Sequence, residues 1–427
     1  MRSPAMADEI PIHELAPMGD GLHQSPRGRF YIDRTLPGDV VEAKLQKAGG
    51  VLRGEVTRLI QPSQYRVEAP CRHYAVCGGC TLQHARDDFY RTWKSEVVRN
   101  VLEREGLKPD VWQPPVFLPP GQRRRVTFAA LKKGSRAELG FFRRRTHHVA
   151  DISTCLVAEP AIMELRNELA RRLGPILQEG KPVDVFIQTV DGRHEVVITG
   201  PVGQKGRPDL AVYEAAAELA HAAKIARIAW RPREHAEAEV LLEVTPLLAK
   251  FGALTVALPP LVFLQPTKAG EEALVAAVTV ALPKKGRFAD LFSGCGTFSG
   301  AMLAQGTVDA YEIAATAVNA LNKSKGPLAL NARQRNLFDN PLMSDEANRY
   351  DAIVFDPPRT GALDQAQALA SSTVPLIIGV SCNPVTFARD ARILADGGYK
   401  LQSVQVIDQF TWSHHIELVA AFTKPLR

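Results

Sequence analysis

The strongest constraint on this chain is the alternation in its last third. Short apolar runs, RFADLF, VDAYEI, YDAIVFD, LIIGVSC and VQVID, are separated mostly by stretches of helical pattern. Strands spaced by helices pair in parallel, because a crossover of a dozen or more residues is needed to return the chain to the same end of a sheet. The pattern predicts a doubly wound, Rossmann-like α/β sheet over residues 256–427. Ligands of such sheets bind beyond the carboxyl ends of the strands, so chemistry is expected where these runs terminate.

The first of these ends is FADLFSGCGTFSG. It closes a strand at Asp290, turns through Gly294 and Gly296 and enters a helix, letting the backbone approach a ligand that side chains would block. Glu312 ends the following strand, where a carboxylate can accept from two ribose hydroxyls. The loop lacks both the dinucleotide GxGxxG spacing and a Walker lysine, which disfavours NAD and ATP and favours S-adenosylmethionine. Cys295 reads as a small residue that fits the turn.

Two further strand ends carry reactive groups. Asp356 is followed by Pro357 and Pro358, which stiffen the loop and stop it becoming helix. An Asp-Pro-Pro at this point suits a nucleobase site. Enzymes that methylate exocyclic amines stack the base on an aromatic in the fourth position, here Arg359. Cys382, in VSCNPVTFARD, supplies what a ring carbon needs and an amine does not. A thiolate adding at carbon 6 of uracil turns carbon 5 into a nucleophile. An inert cysteine would more often sit in mid-strand.

The whole chain of 427 residues, 45% of them hydrophobic, suffices for two or three domains. Residues 1–66 read as a small five-stranded, OB-like β-barrel, with a Pro37-Gly38-Asp39 turn and a Gly49-Gly50 hairpin. Phe89, Trp93, Val97 and Val101 mark one amphipathic helix capped by Asp87 and ended by Gly106; WQPPVFLPPG reads as a linker. Residues 67–255 form a cluster loop and an α+β middle domain, with a hairpin at Asp191-Gly192. No signal-peptide core or membrane span is evident, so a cytoplasmic protein with reduced cysteines is expected. The net charge of +6 is mild, but Arg123, Arg124 and Arg125 and Arg143, Arg144 and Arg145 concentrate it and point to a polyanion.

CRHYAVCGGC and DISTC supply Cys71, Cys77, Cys80 and Cys155. Spacing alone leaves zinc and an iron–sulfur cluster both open, since three cysteines in one loop plus a distant fourth suit either. A radical S-adenosylmethionine enzyme is disfavoured, because its first gap is shorter and a fourth cysteine would close the open iron.

Taken together, the LPGD turn through VTRLI, CRHYAVCGGCTLQH, LGFFRRRTHHVADISTC, FLQ at 263–265, DLFSGCGTFSG, DPPRTGA, SCNPVTFARD and HHIELVAAF resemble the RNA uracil-5-methyltransferase family, in its iron–sulfur branch acting on 23S ribosomal RNA. The resemblance covers nearly the whole chain. It implies a TRAM domain at the amino terminus and a class I S-adenosylmethionine methyltransferase at the carboxyl terminus. It also implies Cys382 as nucleophile, Glu417 as general base, and Cys71, Cys77, Cys80 and Cys155 as [4Fe-4S] ligands. Gln265, Glu312 and Asp356 match cofactor positions, and Asp290, Gly294, Gly296 and Asn336 complete the candidate cofactor set. Glu417 falls in a late strand, with His415 two residues before it on the same face. The chain departs from the family at Thr267, commonly Asn, and at Phe410-Thr411-Trp412-Ser413 in place of Phe-Pro-His-Thr. Barrel and cluster together favour ribosomal RNA over tRNA, and a monomer is expected. The alternatives are an RNA N-methyltransferase built on Asp-Pro-Pro and a non-catalytic RNA-binding or assembly protein.

Overall fold

The computed structural model describes residues 9–26, 28–48, 50–144, 146 and 148–424. The chain divides into two compact units. One comprises Met1–Val97, Arg143–Thr146 and Trp412–His415; the other comprises Val98–Phe142, His147–Thr411 and Ile416–Arg427.

The first unit is built on a six-stranded sheet in the order Ile10–Pro11, Val40–Ala48, Val51–Gln61, Gly28–Ile32, Gly21–Ser25 and Glu14–Leu15. Ile10, Ile12, Phe30, Ile32 and Val41 form its core. The expected five strands are six, because two of them are only two residues long and give no periodic signal. The hairpin is present with Ala48 opposite Val51, although Gly49 itself lies outside the described residues. Asp39 closes the LPGD turn. Its carboxylate accepts from the Leu36 and Ser63 N–H groups (2.7 and 2.8 Å) and from Arg66 Nε (3.0 Å).

The amphipathic helix runs Asp87–Arg104 with Trp93, Val97 and Val101 buried, and Gly106 follows it at φ +66°. Phe89 instead stacks on Tyr65, with ring centroids 4.5 Å apart.

In the second unit a seven-stranded sheet (Val149–Asp151, Arg136–Phe142, Arg125–Lys133, Val183–Val190, Arg193–Thr199, Ile225–Arg231, Glu239–Glu243) carries the helices Pro160–Arg172 and Leu210–Ala223. Asp191 and Gly192, both at positive φ, make the hairpin between Val190 and Arg193.

The nine-stranded sheet runs Leu330–Gln334, Gly306–Glu312, Gly286–Leu291, Ala352–Phe355, Leu376–Ser381, Glu417–Thr423 and Lys400–Asp408. Its first five strands are parallel, and Glu417–Thr423 is antiparallel to both neighbours. The helices Lys268–Ala281, Thr297–Met302 and Ala315–Ser324 share one core with Phe288, Val308, Val354, Ile378 and Val419. Leu363–Ala370 and Pro384–Asp396 pack on each other, and Phe387 meets Phe422, which alternates with Val419 to the opposite face. This is the doubly wound sheet that the alternation predicts. The supposed linker is not one: Val111–Trp112 and Val116–Phe117 add to the edge strand Lys400–Asp408. The prolines between them cannot donate to a ladder, so pairing breaks in the middle, a pattern edge strands tolerate. Among the described residues no helix is long and apolar enough to cross a membrane.

Candidate active site

The carboxyl ends of the parallel strands and the start of Glu417–Thr423 fall at the same sheet edge, since Leu418 pairs with Ser381 and Glu417 with Ile407. An antiparallel strand begins where its parallel neighbours end, which brings Glu417 to the side where Asp290, Glu312, Asp356 and Cys382 emerge.

Asp290 is fully buried, and Ser299 donates to its Oδ2 at 2.5 Å while Oδ1 has no partner. Burial raises its carboxyl to about 7; the Ser299 bond opposes this, and Asp356 and Glu312 add to it. Glu312 accepts from the Gly294 and Ala314 N–H groups, both at 2.9 Å, which fixes the glycine turn to the next strand. Gly294 and Gly296 sit at φ +54° and +90°, and a Cβ on Gly296 would lie 2.6 Å from Leu321 Cδ2. A bare turn beside an orphaned buried carboxylate oxygen fits a nucleoside ligand. Cys295 is buried and its thiol pushed up to about 12, which suits packing rather than reactivity. Asn336 follows the strand Leu330–Gln334. Its amide serves its own loop, donating to Asp339 and accepting from the Phe338 N–H.

Asp356 follows the strand Ala352–Phe355, and burial raises its carboxyl to about 7. Gln265 Nε2 donates to its Oδ2 at 3.4 Å. Glu417, only 4% exposed, is held well above the usual carboxylate range by burial first and by the Asp356 charge second; Gln409 and Arg359 oppose the shift. Cys382 sits between the strand Leu376–Ser381 and the helix Pro384–Asp396, whose first turn is capped by Asn383 (Val385 N–H to Oδ1, 3.1 Å). Burial, Glu417 and Asp356 push its thiol up to about 11, against the pull of Arg359. Asp356 thus raises Glu417, and both acids raise the thiol, with Arg359 opposing at Glu417 and Cys382; acids and a thiol so placed can hold protons near neutral pH.

Several contributors gave no sequence signal. Asn383 Nδ2 and Thr386 Oγ1 both donate to the Arg359 carbonyl (2.9 and 3.1 Å), locking the Asp-Pro-Pro-Arg loop to the cysteine loop. Gln409 donates to Gln265 Oε1 at 2.7 Å and to Glu417 Oε1 at 3.3 Å. The arginines 123–125 are not a surface patch. Arg124 is buried against Glu271 (2.6 Å) and donates to the Gln265 carbonyl (3.0 Å); Arg125 donates to the Leu264 carbonyl (2.7 Å) and stacks on Phe263. They fasten the segment that presents Gln265. His415 is not a strand neighbour of Glu417. It precedes the strand, belongs to the first unit, and its carbonyl accepts from the buried Lys94. Thr267 caps the helix Lys268–Ala281 by accepting from the Gly270 N–H (2.9 Å), which an Asn can also do.

In the first unit, Cys71, Cys77 and Cys80 lie in one loop. It is braced by Tyr74, whose hydroxyl donates to the Thr81 carbonyl (2.6 Å) and meets His84 Nδ1 (2.7 Å). Burial drives His84 down to about 3, so its ring is neutral. The Gly79 N–H donates to Cys77 Sγ at 3.4 Å. Cys155 belongs to the second unit. All four are partly exposed, none is in a disulfide, and the thiol set suits a thiophilic metal or cluster in kind. Among the described residues no three His, Cys, Asp or Glu side chains are gathered as a metal site. The first unit also holds a cavity of about 710 Å³ lined by Arg34, Lys44, Arg53, Arg66, Arg143 and Arg144. Arg145 lies outside the described residues.

Residues 332–424 match the family model tRNA (Uracil-5-)-methyltransferase. An uncharacterized RNA methyltransferase of Caulobacter vibrioides is 38% identical over 97% of this chain and all of that one. A 23S rRNA (uracil(1939)-C(5))-methyltransferase, RlmD, of Halomonas elongata is 30% identical over 98% of this chain and 89% of its own. In fold, the chain matches the crystal structure of Pyrococcus abyssi tRNA (uracil-54, C5)-methyltransferase in complex with S-adenosyl-L-homocysteine. The TM-score is 0.77 at 20% identity, covering 98% of this chain and all of that one. With full-length relatives at this identity and a strand end that carries Cys382, the chain belongs to the RNA uracil-5-methyltransferase family and is an enzyme of that class.

Proposed function

We propose that the protein forms 5-methyluridine in 23S ribosomal RNA through covalent attack by Cys382, with S-adenosylmethionine as methyl donor. What carries the reading is the placement of Cys382, Asp356 and Glu417 at one sheet end, where Asp356 acts on Glu417 and both carboxyls act on the thiol. Asp290, Gly294, Gly296, Glu312 and Gln265 would hold the donor, with Asn336 at the rim; bound there, it supplies an electrophilic methyl group. Cys382 Sγ bonds to carbon 6 of a uridine flipped out of its stack, and the ring's π electrons move to the carbon 4 oxygen, making carbon 5 nucleophilic. Once carbon 5 is methylated, Glu417 removes its proton, the double bond re-forms and the sulfur leaves. Attack requires the thiolate, which burial, Glu417 and Asp356 disfavour and Arg359 favours.

RNA is gripped by the first unit, read as a TRAM-like barrel over residues 1–66. The basic cavity supports this, since it can neutralise phosphates. Residues 67–255 form the cluster-loop and middle domain and 256–427 the catalytic domain of a cytoplasmic monomer. Cys71, Cys77, Cys80 and Cys155 carry a structural [4Fe-4S] cluster, supported by the all-thiolate donor set. Anaerobically purified protein should contain about four irons and four sulfides per chain; zinc without sulfide would overturn the cluster. Mapping 5-methyluridine in total RNA with and without the gene tests the function. Loss of 5-methyluridine from 23S RNA is expected, whereas loss of an amine methylation would favour the Asp-Pro-Pro alternative.

A further inference from the structure

Gln409 follows the strand Lys400–Asp408 and is 2% exposed. Its Nε2 donates to Gln265 Oε1 and to Glu417 Oε1, and Gln265 Nε2 in turn donates to Asp356 Oδ2. Two primary amides therefore bridge two carboxyls. A Cβ on Gly270 would lie 2.4 Å from Gln409 Oε1 and 2.8 Å from Gln409 Cβ, so the glycine in the first turn of the adjoining helix leaves room for this side chain.

An amide has one donor end and one acceptor end, so orientations along such a chain are correlated. An ionised carboxylate only accepts, so the direction seen here is the one that suits ionised Asp356 and Glu417. Turning both amides over would set Gln409 Oε1 against Glu417 and Gln265 Oε1 against Asp356, an arrangement satisfied only when both carboxyls carry a proton. We infer that Gln409 is a positioning residue that holds Glu417 as a proton acceptor and ties its protonation to that of Asp356 through Gln265. The inference rests on Glu417 acting as the base. The charged groups acting on Glu417 are Asp356 and Arg359, and Glu417 in turn acts on the neighbouring thiol of Cys382. Asp356 raises Glu417, while Arg359 and the Gln409 bond lower it. Without the amide, Glu417 stays protonated to higher pH and accepts the carbon 5 proton more slowly.

The test is Gln409→Met, close in length and unable to hydrogen-bond, in the full-length protein. Acid-quenched time courses follow the protein–RNA adduct across pH, beside RNA affinity and thermal unfolding; Gln409→Leu replaces a Met variant that does not fold. Expected are unchanged RNA affinity and adduct formation, adduct decay slowed about tenfold at neutral pH, the effect of one pKa unit, and recovery toward the wild-type rate as pH rises. A loss that is equal at every pH, or confined to RNA binding, would overturn the inference while leaving the covalent reading intact. Absence of any adduct in the wild-type protein would overturn both.

Discussion

Two buried groups of charge in the second unit have opposite make-up. In the seven-stranded sheet Glu195 faces Arg227, whose Nε donates to it at 2.8 Å and whose Nη1 donates to the Leu258 carbonyl at 2.7 Å. At the end of the nine-stranded sheet, Asp356 and Glu417 have two amides between them, a thiol nearby and an arginine acting at its edge. Opposite charges neutralise each other and hold a sheet together. Like charges in one low-dielectric place cannot all ionise, so protons stay within reach. The first arrangement suits a scaffold; the second suits the proposed proton transfer.

Substitutions should separate the two. Cys382→Ala is expected to abolish methylation and leave no adduct, with unfolding unchanged; turnover assays and denaturing gels read both. Glu417→Gln should slow turnover by about 10²–10⁴ while the adduct accumulates, since attack precedes proton removal. At the scaffold pair, Arg227→Ala should cost about 3–5 kcal/mol by stranding the Glu195 charge. Denaturant unfolding measures this loss, and activity per folded molecule should hold; a specific catalytic loss there would erase the distinction.

Asp290 sharpens the contrast through pH. Its folded carboxyl is raised to about 7 from 3.8, so its favourable contribution is complete below the unfolded value and is lost as pH rises through the folded one. Asp290→Asn should therefore raise stability at pH 8, on the order of 2–4 kcal/mol, and change little at pH 3. The smallest effect belongs to Thr267: Thr267→Ala should cost about 1 kcal/mol through the lost cap, while Thr267→Asn should be neutral.

The doubly wound sheet was legible because alternating apolar runs and helical stretches have few other solutions, and the strand-end rule then singled out Asp290, Glu312, Asp356 and Cys382. What the sequence hid was side-chain partnership across long separations. Nothing in Arg123-Arg124-Arg125 says that Arg124 is buried with Glu271 rather than solvated, because a charge run looks the same in either setting. Gln409 carries no local signature, since its partners Gln265 and Glu417 meet it only once the sheet has formed. Two-residue strands such as Val111–Trp112 fall below any periodicity, and their prolines disguise them as linker.

In the proposed reaction Cys382 bonds to the RNA and Glu417 releases it. The direct measurement is mass spectrometry of peptides from Glu417→Gln protein quenched during reaction with substrate RNA and S-adenosylmethionine. A methylated uridine nucleotide attached to the peptide that carries Cys382 is expected. Methylated RNA appearing at the wild-type rate with the Cys382 peptide unmodified would contradict it.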